Sequence, residues 1–585
     1  MDNMDCEDMI YDEAYTDFMF NYMEVFEGAE RVYGEGCINE ISEDIAIIHT
    51  QVRGDPLNNL AAVPYSFIPK LFGLMDSSNL EVTGVKQVQN PNTTGLTGKN
   101  VIIGFVDTGI DYTNPLFQSR DGRSRIGVLW DQTIRGMQEG EGIPSTYYGT
   151  AFSREQIDEA LKNEDPYSVV PSRDSDGHGT FMAGVAAGGA DPERDFLGIA
   201  PEAELAVVKL KQTKSYLRSY FGVPQDVPAY QETDLIYALD YLFRYAEQKK
   251  RPLSVFIGLG SSSGGHAGLT FLERYINTIR ENVGRTVSVP AGNEGNERLH
   301  YSGDMLQFVD TEEVELNVAE GQDVLAIEFW GDAPTTFSVG LISPQGDQIE
   351  RISPRFGEEE LVWLPVARST VYVAYQLSEA YSGDEFIFIR IVKPTPGIWR
   401  ILVYGGEGKQ RTYNMWLPIR QFLRPETYFL KPDPENTITN PGNAELATTM
   451  TAYNHLNGSI YAGAGRGGIL GLRTKPVLTA PGVNITGPGL RGNLIRGTGT
   501  SVAAAHSAGM MALFLQWNIE NYNLGVFYPS QIRNLFIKSA IRDPNMEYPN
   551  LTWGYGIMNI NEVLEQFRVT GVPPGLRLQD GEITV

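Results

Sequence analysis

Three short motifs each contain a residue that could take part in acyl transfer, together with at least one glycine. Asp107 opens the string DTGID at the end of the apolar run VIIGFVD. His178 lies in DGHGT, ahead of a run of small residues, and Ser501 lies in GTGTS, directly before the segment VAAAH. A serine hydroxyl is a weak nucleophile at neutral pH, so it needs a base, and the base needs an orienting carboxylate. The order Asp, His, Ser supplies these three parts.

Each motif alone also has a purely structural interpretation. An aspartate after a strand is often a turn former, and a lone histidine is often structural. A serine at the start of a helix can be an N-cap, which stabilises the helix by about 1 kcal/mol. In the functional interpretation, the N–H groups and dipole at the helix end stabilise an oxyanion formed after Ser501 attacks. Only the combination of the motifs favours the functional interpretation.

A fourth element lies between the second and third motifs. Asn293 stands between glycines in the string PAGNEGN, directly after an apolar strand-like run. An amide presented in this way could donate its N–H to the same oxyanion.

The elements that must position these residues alternate between strand and helix from about residue 80 to 300. Residues 101–107, 205–210 and 253–259 are short apolar runs typical of buried parallel strands, and residues 233–248 have a helical pattern. This alternation predicts an α/β fold with a doubly wound parallel sheet. In such sheets, functional residues gather at the carboxyl ends of the strands, which is where Asp107 is expected.

The pattern changes between residues 303 and 428, where short β-type runs recur without a convincing helix. This spacing predicts an inserted β-sandwich or jelly roll. The α/β pattern resumes near residue 436, with a long helix from 502 and a last helix at 561–567. The runs are 314–318, 324–330, 336–342, 371–376, 386–392, 398–404 and 413–418.

The N-terminal zone differs in charge from the rest of the chain. Residues 1–50 hold fourteen Asp or Glu and one Arg, so they carry −13 of the net charge of −27. Strand-like pieces are expected at 17–25 and 45–52, followed by a proline-bearing linker at 60–69. The acidic block is either a solvated face or a separate segment with its own role.

Composition excludes several classes of function. With 46 Lys and Arg against 73 Asp and Glu, neither nucleic acid nor an anionic membrane is expected as a partner. Two cysteines, Cys6 and Cys37, exclude a disulfide scaffold, and the six histidines lack ligand spacing, so we expect no metal and no cofactor. Neither a signal peptide nor a transmembrane run is visible, which favours an intracellular or spore-associated location.

The segments DTGID, GHGTFMAGVAAG, PAGNEGN and GTGTSVAAAHSAG together resemble the subtilisin-like serine proteases, the subtilases of peptidase family S8. The resemblance implies Asp107 as orienting carboxylate, His178 as general base then acid, Ser501 as nucleophile and Asn293 as oxyanion donor. It also implies that the family's substrate-binding strand, usually Ser-Leu-Gly, is here Gly258-Leu259-Gly260. A protein or peptide substrate would pair with that backbone by β-addition.

The layout resembles more narrowly the Csp germination proteases of spore-forming bacteria, as does the string IPKLFGL at residues 68–74. That likeness implies an α+β propeptide that assists folding and inhibits the enzyme, with autoprocessing between about 60 and 80. It also implies activation of the zymogen of a cortex-lytic enzyme. The expected domains are a propeptide-like domain at 1–70, the first catalytic part at 71–302, the β insert at 303–430 and the second catalytic part at 431–585.

Other readings of the sequence stay open or are disfavoured. A pseudoprotease that binds a partner remains the alternative, because a retained propeptide could silence a complete set of catalytic residues. Alternatively, the N-terminal domain stays attached permanently. An α/β-hydrolase esterase is disfavoured, since that fold expects G-x-S-x-G and the order Ser, acid, His. The β insert either rigidifies the catalytic domain or binds carbohydrate or protein.

Overall fold

The structure is a computed structural model that divides into two units, Met1–Met75 and Asp76–Val585. It describes residues 15–21, 36–40, 45–51, 80, 82–135, 142–146, 148–213, 215–305, 310–354, 359–379, 381–406, 411–468, 474–522 and 527–569. The expected linker at 60–69, the string at 68–74 and nearly all of the expected processing region lie outside these residues.

The first unit contains a three-stranded antiparallel sheet in the order β1-β3-β2. Two strands were expected here, and β2, the second along the chain, was missed because its string GCINE has no run of β-forming residues. The strands are β1 (Tyr15–Asn21), β2 (Gly36–Glu40) and β3 (Ile45–Gln51).

The second unit begins with the first part of an α/β domain. Its strands are β4 (Ile102–Asp107), β5 (Ile126–Asp131), β6 (Thr150–Ser153), β7 (Glu204–Lys209), β8 (Leu253–Ile257) and β9 (Arg285–Pro290). Its helices are α1 (Val85–Gln89), α2 (Arg154–Ala160), α3 (His178–Ala187), α4 (Ser215–Phe221), α5 (Glu232–Lys249) and α6 (Phe271–Asn277). Short 3₁₀ turns lie at Pro115–Phe117, Pro166–Ser168 and Thr278–Glu281.

Eleven strands follow in the described part of the insert. They are β10 (His300–Asp304), β11 (Thr311–Val318), β12 (Val324–Gly331), β13 (Phe337–Ile342), β14 (Gln348–Ile352), β15 (Glu359–Leu364), β16 (Ser369–Gln376), β17 (Glu385–Val392), β18 (Gly397–Gly405), β19 (Thr412–Trp416) and β20 (Tyr428–Phe429). A 3₁₀ turn at Arg420–Phe422 precedes the last strand.

The α/β domain then resumes. It adds β21 (Thr448–Asn454), β22 (Ser459–Ile460), β23 (Leu478–Pro481), β24 (Ile485–Pro488) and β25 (Leu494–Gly497). Its helices are α7 (Thr500–Tyr522), α8 (Pro529–Lys538) and α9 (Ile560–Val569), with a 3₁₀ turn at Leu490–Gly492.

The central sheet runs β22-β21-β9-β8-β4-β7-β5-β6, with β23 paired to β21. Its inner strands are parallel, and β6 and β22 pair antiparallel to their neighbours. Every residue of β4 is buried because helices cover both faces, α3 and α7 on one side and α5 on the other. The α/β class and the doubly wound sheet predicted from the sequence are confirmed.

The insert is a sandwich of two antiparallel sheets. One sheet runs β10-β19-β12-β17-β16-β15 and the other β14-β13-β18-β11-β20. Side chains in β16 and β17 alternate between buried and half-buried positions, as expected for strands with one face on a shared core. The predicted β-sandwich is therefore confirmed, whereas its predicted boundaries at 303 and 430 stay predictions.

Candidate active site

The four motifs meet at one edge of the central sheet. Strands β4, β8 and β9 are parallel neighbours, so their carboxyl ends lie side by side. Asp107 ends β4, Gly258 follows β8, and Asn293 follows β9 in a short loop. His178 is the first residue of α3, and Ser501 is the second residue of α7.

Asp107 and His178 form a hydrogen-bonded pair. The distances from His178 Nδ1 to the two Asp107 carboxylate oxygens are 2.8 and 2.9 Å. An ionised carboxylate can only accept, so Nδ1 carries the proton and Nε2 of the neutral ring has a free lone pair. Asp107 is fully buried, and its Oδ1 also accepts the backbone N–H of Thr108 at 2.7 Å.

The pair sets the electrostatics of the site. Burial on its own lowers the pKa of His178, but the Asp107 carboxylate and its hydrogen bond outweigh that effect. Asp176 and Asp174 add to the effect of Asp107, and the pKa of His178 lies above its ordinary value of 6.5. One third of the side chain remains exposed, so the ring is accessible to a substrate.

Asp174 holds the start of α3 in place. Its Oδ1 accepts from the Gly177 N–H at 2.9 Å and from the Thr108 hydroxyl at 3.0 Å. Its Oδ2 accepts from the Thr180 hydroxyl and N–H at 2.7 and 3.0 Å. This buried carboxylate therefore links the Asp107 loop to the helix that carries His178.

The loop after β4 and the start of α3 approach each other closely at Gly179. A β-carbon at position 179 would lie 2.2 Å from the Gly109 carbonyl oxygen, so any other residue would push the two segments apart. The Gly179 N–H donates to the Thr108 hydroxyl at 2.9 Å. Sequence reasoning gave Thr108 and Thr180 no role, although both stand inside the quoted motifs.

Ser501 contacts this pair through Gly258. The Ser501 hydroxyl donates to the Gly258 carbonyl oxygen at 3.4 Å, and in the described part of the chain no hydrogen bond joins it to His178. A β-carbon at Gly258 would lie 1.8 Å from Asp107 Oδ2 and 3.0 Å from His178 Cε1. Gly258 is thus the residue that all three side chains share as a neighbour.

Asn293 is locked by the start of α7. Its Oδ1 accepts from the Thr500 backbone N–H at 3.1 Å and from the Thr500 hydroxyl at 3.3 Å. The same hydroxyl lies 3.1 Å from the Gly292 carbonyl oxygen, so its single proton is shared between these two acceptors. Because the oxygen is occupied, Nδ2 is the amide atom left to donate, next to the helix terminus that carries Ser501. Sequence reasoning did not single out Thr500.

The backbone of Gly258, Leu259 and Gly260 continues β8 toward the site. The Gly258 N–H donates to the Val106 carbonyl at 3.3 Å, and Ser261 exchanges two backbone hydrogen bonds with Asn440 at 2.8 and 2.9 Å. A β-carbon at Gly260 would lie 2.5 Å from the Thr439 hydroxyl. The backbone of the sequence-predicted binding strand is therefore anchored by hydrogen bonds at both ends.

None of the helices in the described residues is long and apolar enough to cross a membrane. Within the same residues, no three His, Cys, Asp or Glu side chains are grouped so that they could hold a metal ion.

The sequence profile of the Subtilase family, Peptidase_S8, matches residues 98–355 and 426–556, which is more than half of the 585 residues. The chain belongs to the subtilase family. The matched parts of this subtilase include Asp107, His178, Asn293 and Ser501. The predicted class, subtilisin-like serine peptidase, is confirmed.

This subtilase is similar to a solved structure described as the Clostridium perfringens CspB protease. The identity is 29%, the TM-score is 0.75, and the alignment covers 86% of this chain and 99% of that chain. The likeness confirms the subtilisin-like fold with an extra sandwich domain, and the narrower resemblance to the Csp proteases.

Two Arabidopsis thaliana relatives are also similar. The subtilase is 27% identical to Subtilisin-like protease SBT2.2 over 172 residues and 30% identical to Subtilisin-like protease SBT2.3 over 149 residues. The matches cover 27% and 23% of this chain. They span 19% and 17% of the length of those relatives.

Proposed function

We propose that this subtilase is an active serine endopeptidase that hydrolyses peptide bonds through an acyl-enzyme. The observation that carries the proposal is the Asp107–His178 pair, with Ser501 held at a helix N-terminus on the other side of Gly258. The proposal requires that Ser501 exchanges its hydrogen bond to the Gly258 carbonyl for one to His178 Nε2.

In the proposed mechanism, His178 Nε2 removes the hydroxyl proton as Ser501 Oγ attacks the scissile carbonyl carbon. Asp107 keeps Nδ1 protonated and stabilises the imidazolium that forms. The carbonyl oxygen becomes an oxyanion, which Asn293 Nδ2 and the N-terminus of α7 stabilise. His178 then donates its proton to the leaving amine, and water repeats the sequence on the acyl-enzyme with His178 again as base.

We propose an extended protein or peptide substrate. The backbone of Gly258, Leu259 and Gly260 would pair with it by β-addition, which needs main-chain groups rather than side chains. The absence of a side chain at Gly258 therefore does not prevent binding.

We propose that the N-terminal zone is a propeptide that the enzyme removes itself, between about residues 60 and 80. N-terminal sequencing of the purified wild type beside a Ser501→Ala variant tests this. The wild type is expected to start within that range and the variant at residue 1. An intact N-terminus in a wild type that reacts with a fluorophosphonate would contradict autoprocessing while leaving the catalytic assignment in place.

The narrower role rests on the resemblance to the Csp germination proteases. We infer that the substrate is the zymogen of a cortex-lytic enzyme and that the location is intracellular or spore-associated. A test is incubation of that zymogen with the purified wild-type and Ser501→Ala proteins. Cleavage only by the wild type supports the role, and an uncleaved zymogen beside active hydrolysis of other proteins contradicts it.

The second candidate function is a silenced pseudoprotease that binds a partner. The observation that favours it is the resting hydrogen bond of Ser501 with Gly258 rather than with His178. Labelling by a fluorophosphonate separates the two, because the probe reacts only with an activated serine.

A further inference from the structure

The outer face of the six-stranded sheet in the insert contacts two segments of the α/β domain. The first, residues 258–266, begins with the proposed substrate-binding strand. The second, residues 215–222, contains α4 and belongs to the connection between β7 and α5. That connection begins beside the Asp107–His178 pair, because the Leu210 N–H, directly after β7, donates to the Asp107 carbonyl oxygen at 3.0 Å.

Glu328 of β12 holds the first segment by its backbone. Its buried Oε2 accepts the Gly264 N–H at 2.8 Å and the indole N–H of Trp330 at 3.3 Å. Burial raises the pKa of Glu328, while these hydrogen bonds lower it by less. The Gly264 N–H is half-buried, and losing its acceptor costs free energy, so the carboxyl group fixes the position of Gly264.

Two aromatic contacts add to this link. A β-carbon at Gly265 would lie 3.2 Å from the Trp330 ring, so the indole packs directly on the backbone of the first segment. The Trp416 ring, at the end of β19, stacks on His266 with centroids 3.9 Å apart and planes 8° apart. The hydrogen bond and the two rings come from neighbouring strands of one sheet.

The second segment is held by neighbouring residues of the same sheet. Phe388 of β17 stacks on Tyr220 with centroids 5.7 Å apart and planes 11° apart. The Arg390 guanidinium lies 4.8 Å from the centre of the same ring. A β-carbon at Gly222 would lie 2.6 Å from Val324 of β12, so this contact is as close as the one at Gly265.

We propose that the β-sandwich is part of the substrate-binding machinery, with Glu328 as a positioning residue for segment 258–266 and Phe388 as a positioning residue for segment 215–222. Gly264, which Glu328 holds, lies only six residues after Gly258, so we expect a displacement of Gly264 to shift the backbone near Gly258. The inference rests on the proposed function for its substrate, but the structural link itself does not depend on activity.

The test compares Glu328→Ala, Glu328→Gln and Phe388→Ala with a matched control, Trp363→Ala, on the exposed edge of the same sheet. Trp363 is 58% exposed on β15, so its removal changes the sheet surface away from both segments. Glutamine keeps an oxygen that can accept from Gly264. Phe388 is half-buried and lies outside the sandwich core, so we expect Phe388→Ala to fold. This variant can therefore be measured even if Glu328→Ala does not fold.

Three quantities are measured on the full chain: hydrogen exchange in residues 258–266, the KM for fluorescein-labelled casein, and the rate of fluorophosphonate labelling. Glu328→Ala is expected to speed exchange in this segment and raise the KM, each about five- to tenfold, with labelling within about twofold of wild type. Phe388→Ala should raise the KM in the same way, while Glu328→Gln and Trp363→Ala should match the wild type.

Wild-type exchange in residues 258–266 of folded Glu328→Ala would overturn the inference. A parallel loss of labelling and casein cleavage at an unchanged KM would also overturn it, because that pattern indicates general destabilisation. A wild-type protein that is not labelled by the fluorophosphonate would contradict the proposed function instead. Hydrogen exchange in residues 258–266 would still test this inference.

Discussion

Gly258 lies against Asp107 so closely that a β-carbon at position 258 would be 1.8 Å from Asp107 Oδ2. The subtilase pattern usually has serine at the matching position, yet in this chain a side chain there would displace the carboxylate that orients His178. The glycine is therefore part of the geometry of the pair.

Gly258→Ala is expected to lower the rate of fluorophosphonate labelling about 10²-fold, because a catalytic group displaced by about 1 Å loses most of its alignment. Labelling reactions quenched after fixed times and analysed by gel fluorescence measure the rate. Gly346→Ala is the matched control: a β-carbon there meets no atom within 4 Å, although the left-handed backbone (φ +93°) makes it costly for stability. Equal labelling of Gly258→Ala and wild type would contradict the assigned geometry.

Asn293→Ala is expected to lower kcat about 10²–10³-fold with little change in KM, because the oxyanion forms only in the transition state. Casein hydrolysis measures both constants. The control is Asn296→Ala on the same loop, whose side chain accepts from Arg466 at 3.1 Å. Asn296→Ala should stay within about twofold of wild type. A comparable loss in both variants would assign Asn293 a structural role only.

The pH dependence of labelling should report His178. Only the neutral ring can act as base, and its pKa lies above 6.5, so the rate should rise with pH to a half-maximum above 6.5. Asp176→Asn removes a smaller contribution than Asp107 makes, so it should move the half-maximum slightly lower without abolishing labelling. A labelling rate with its half-maximum below pH 6.5 in the wild type would show that the Asp107 carboxylate does not raise the pKa of His178.

How far the sequence predicts the fold depends on burial. Strands β4 and β8 are buried on both faces, so their sequences are continuous apolar runs that stand out. Strands β10 and β14 lie at the edges of their sheets and were missed because their strings HYSGD and QIERI contain no apolar run. Strand β5, with the string IGVLWD, was also missed although it is buried throughout.

The candidate active site likewise contains residues that the sequence predicts and contacts that it does not. The motifs predicted which residues gather, because each motif is local and sits at a strand or helix end. The clash at Gly258 and the Glu328–Gly264 hydrogen bond join residues from different parts of the chain, 151 and 64 positions apart. No local pattern encodes such contacts, since they exist only once distant parts of the chain have folded together.

Stability of the sandwich should depend on pH through Glu385. This carboxyl group accepts the Phe337 N–H at 2.5 Å, and its Oε1 has no partner among the described residues. Burial raises its pKa from 4.5 to about 7, so the folded chain binds a proton that the unfolded chain has lost between these pH values. The free energy of unfolding contributed by Glu385 is therefore present below pH 4.5 and lost as pH rises to 7.

Glu385→Gln mimics the protonated group and should raise Tm by a few degrees at pH 8 and leave it unchanged at pH 4.5. Differential scanning calorimetry at the two pH values measures this. Glu350→Gln, on the exposed side of β14, is the control and should change neither value. A stabilisation by Glu385→Gln that is the same at both pH values would refute the assigned pKa.

We propose that Ser501, His178 and Asp107 form one working catalytic unit. Treatment of the wild-type protein with a fluorophosphonate, followed by mapping of the modified residue by peptide mass spectrometry, tests this proposal. A single adduct is expected on Ser501, absent in folded Ser501→Ala and strongly reduced in His178→Ala. An adduct on another residue, or none on folded wild-type protein, would contradict it.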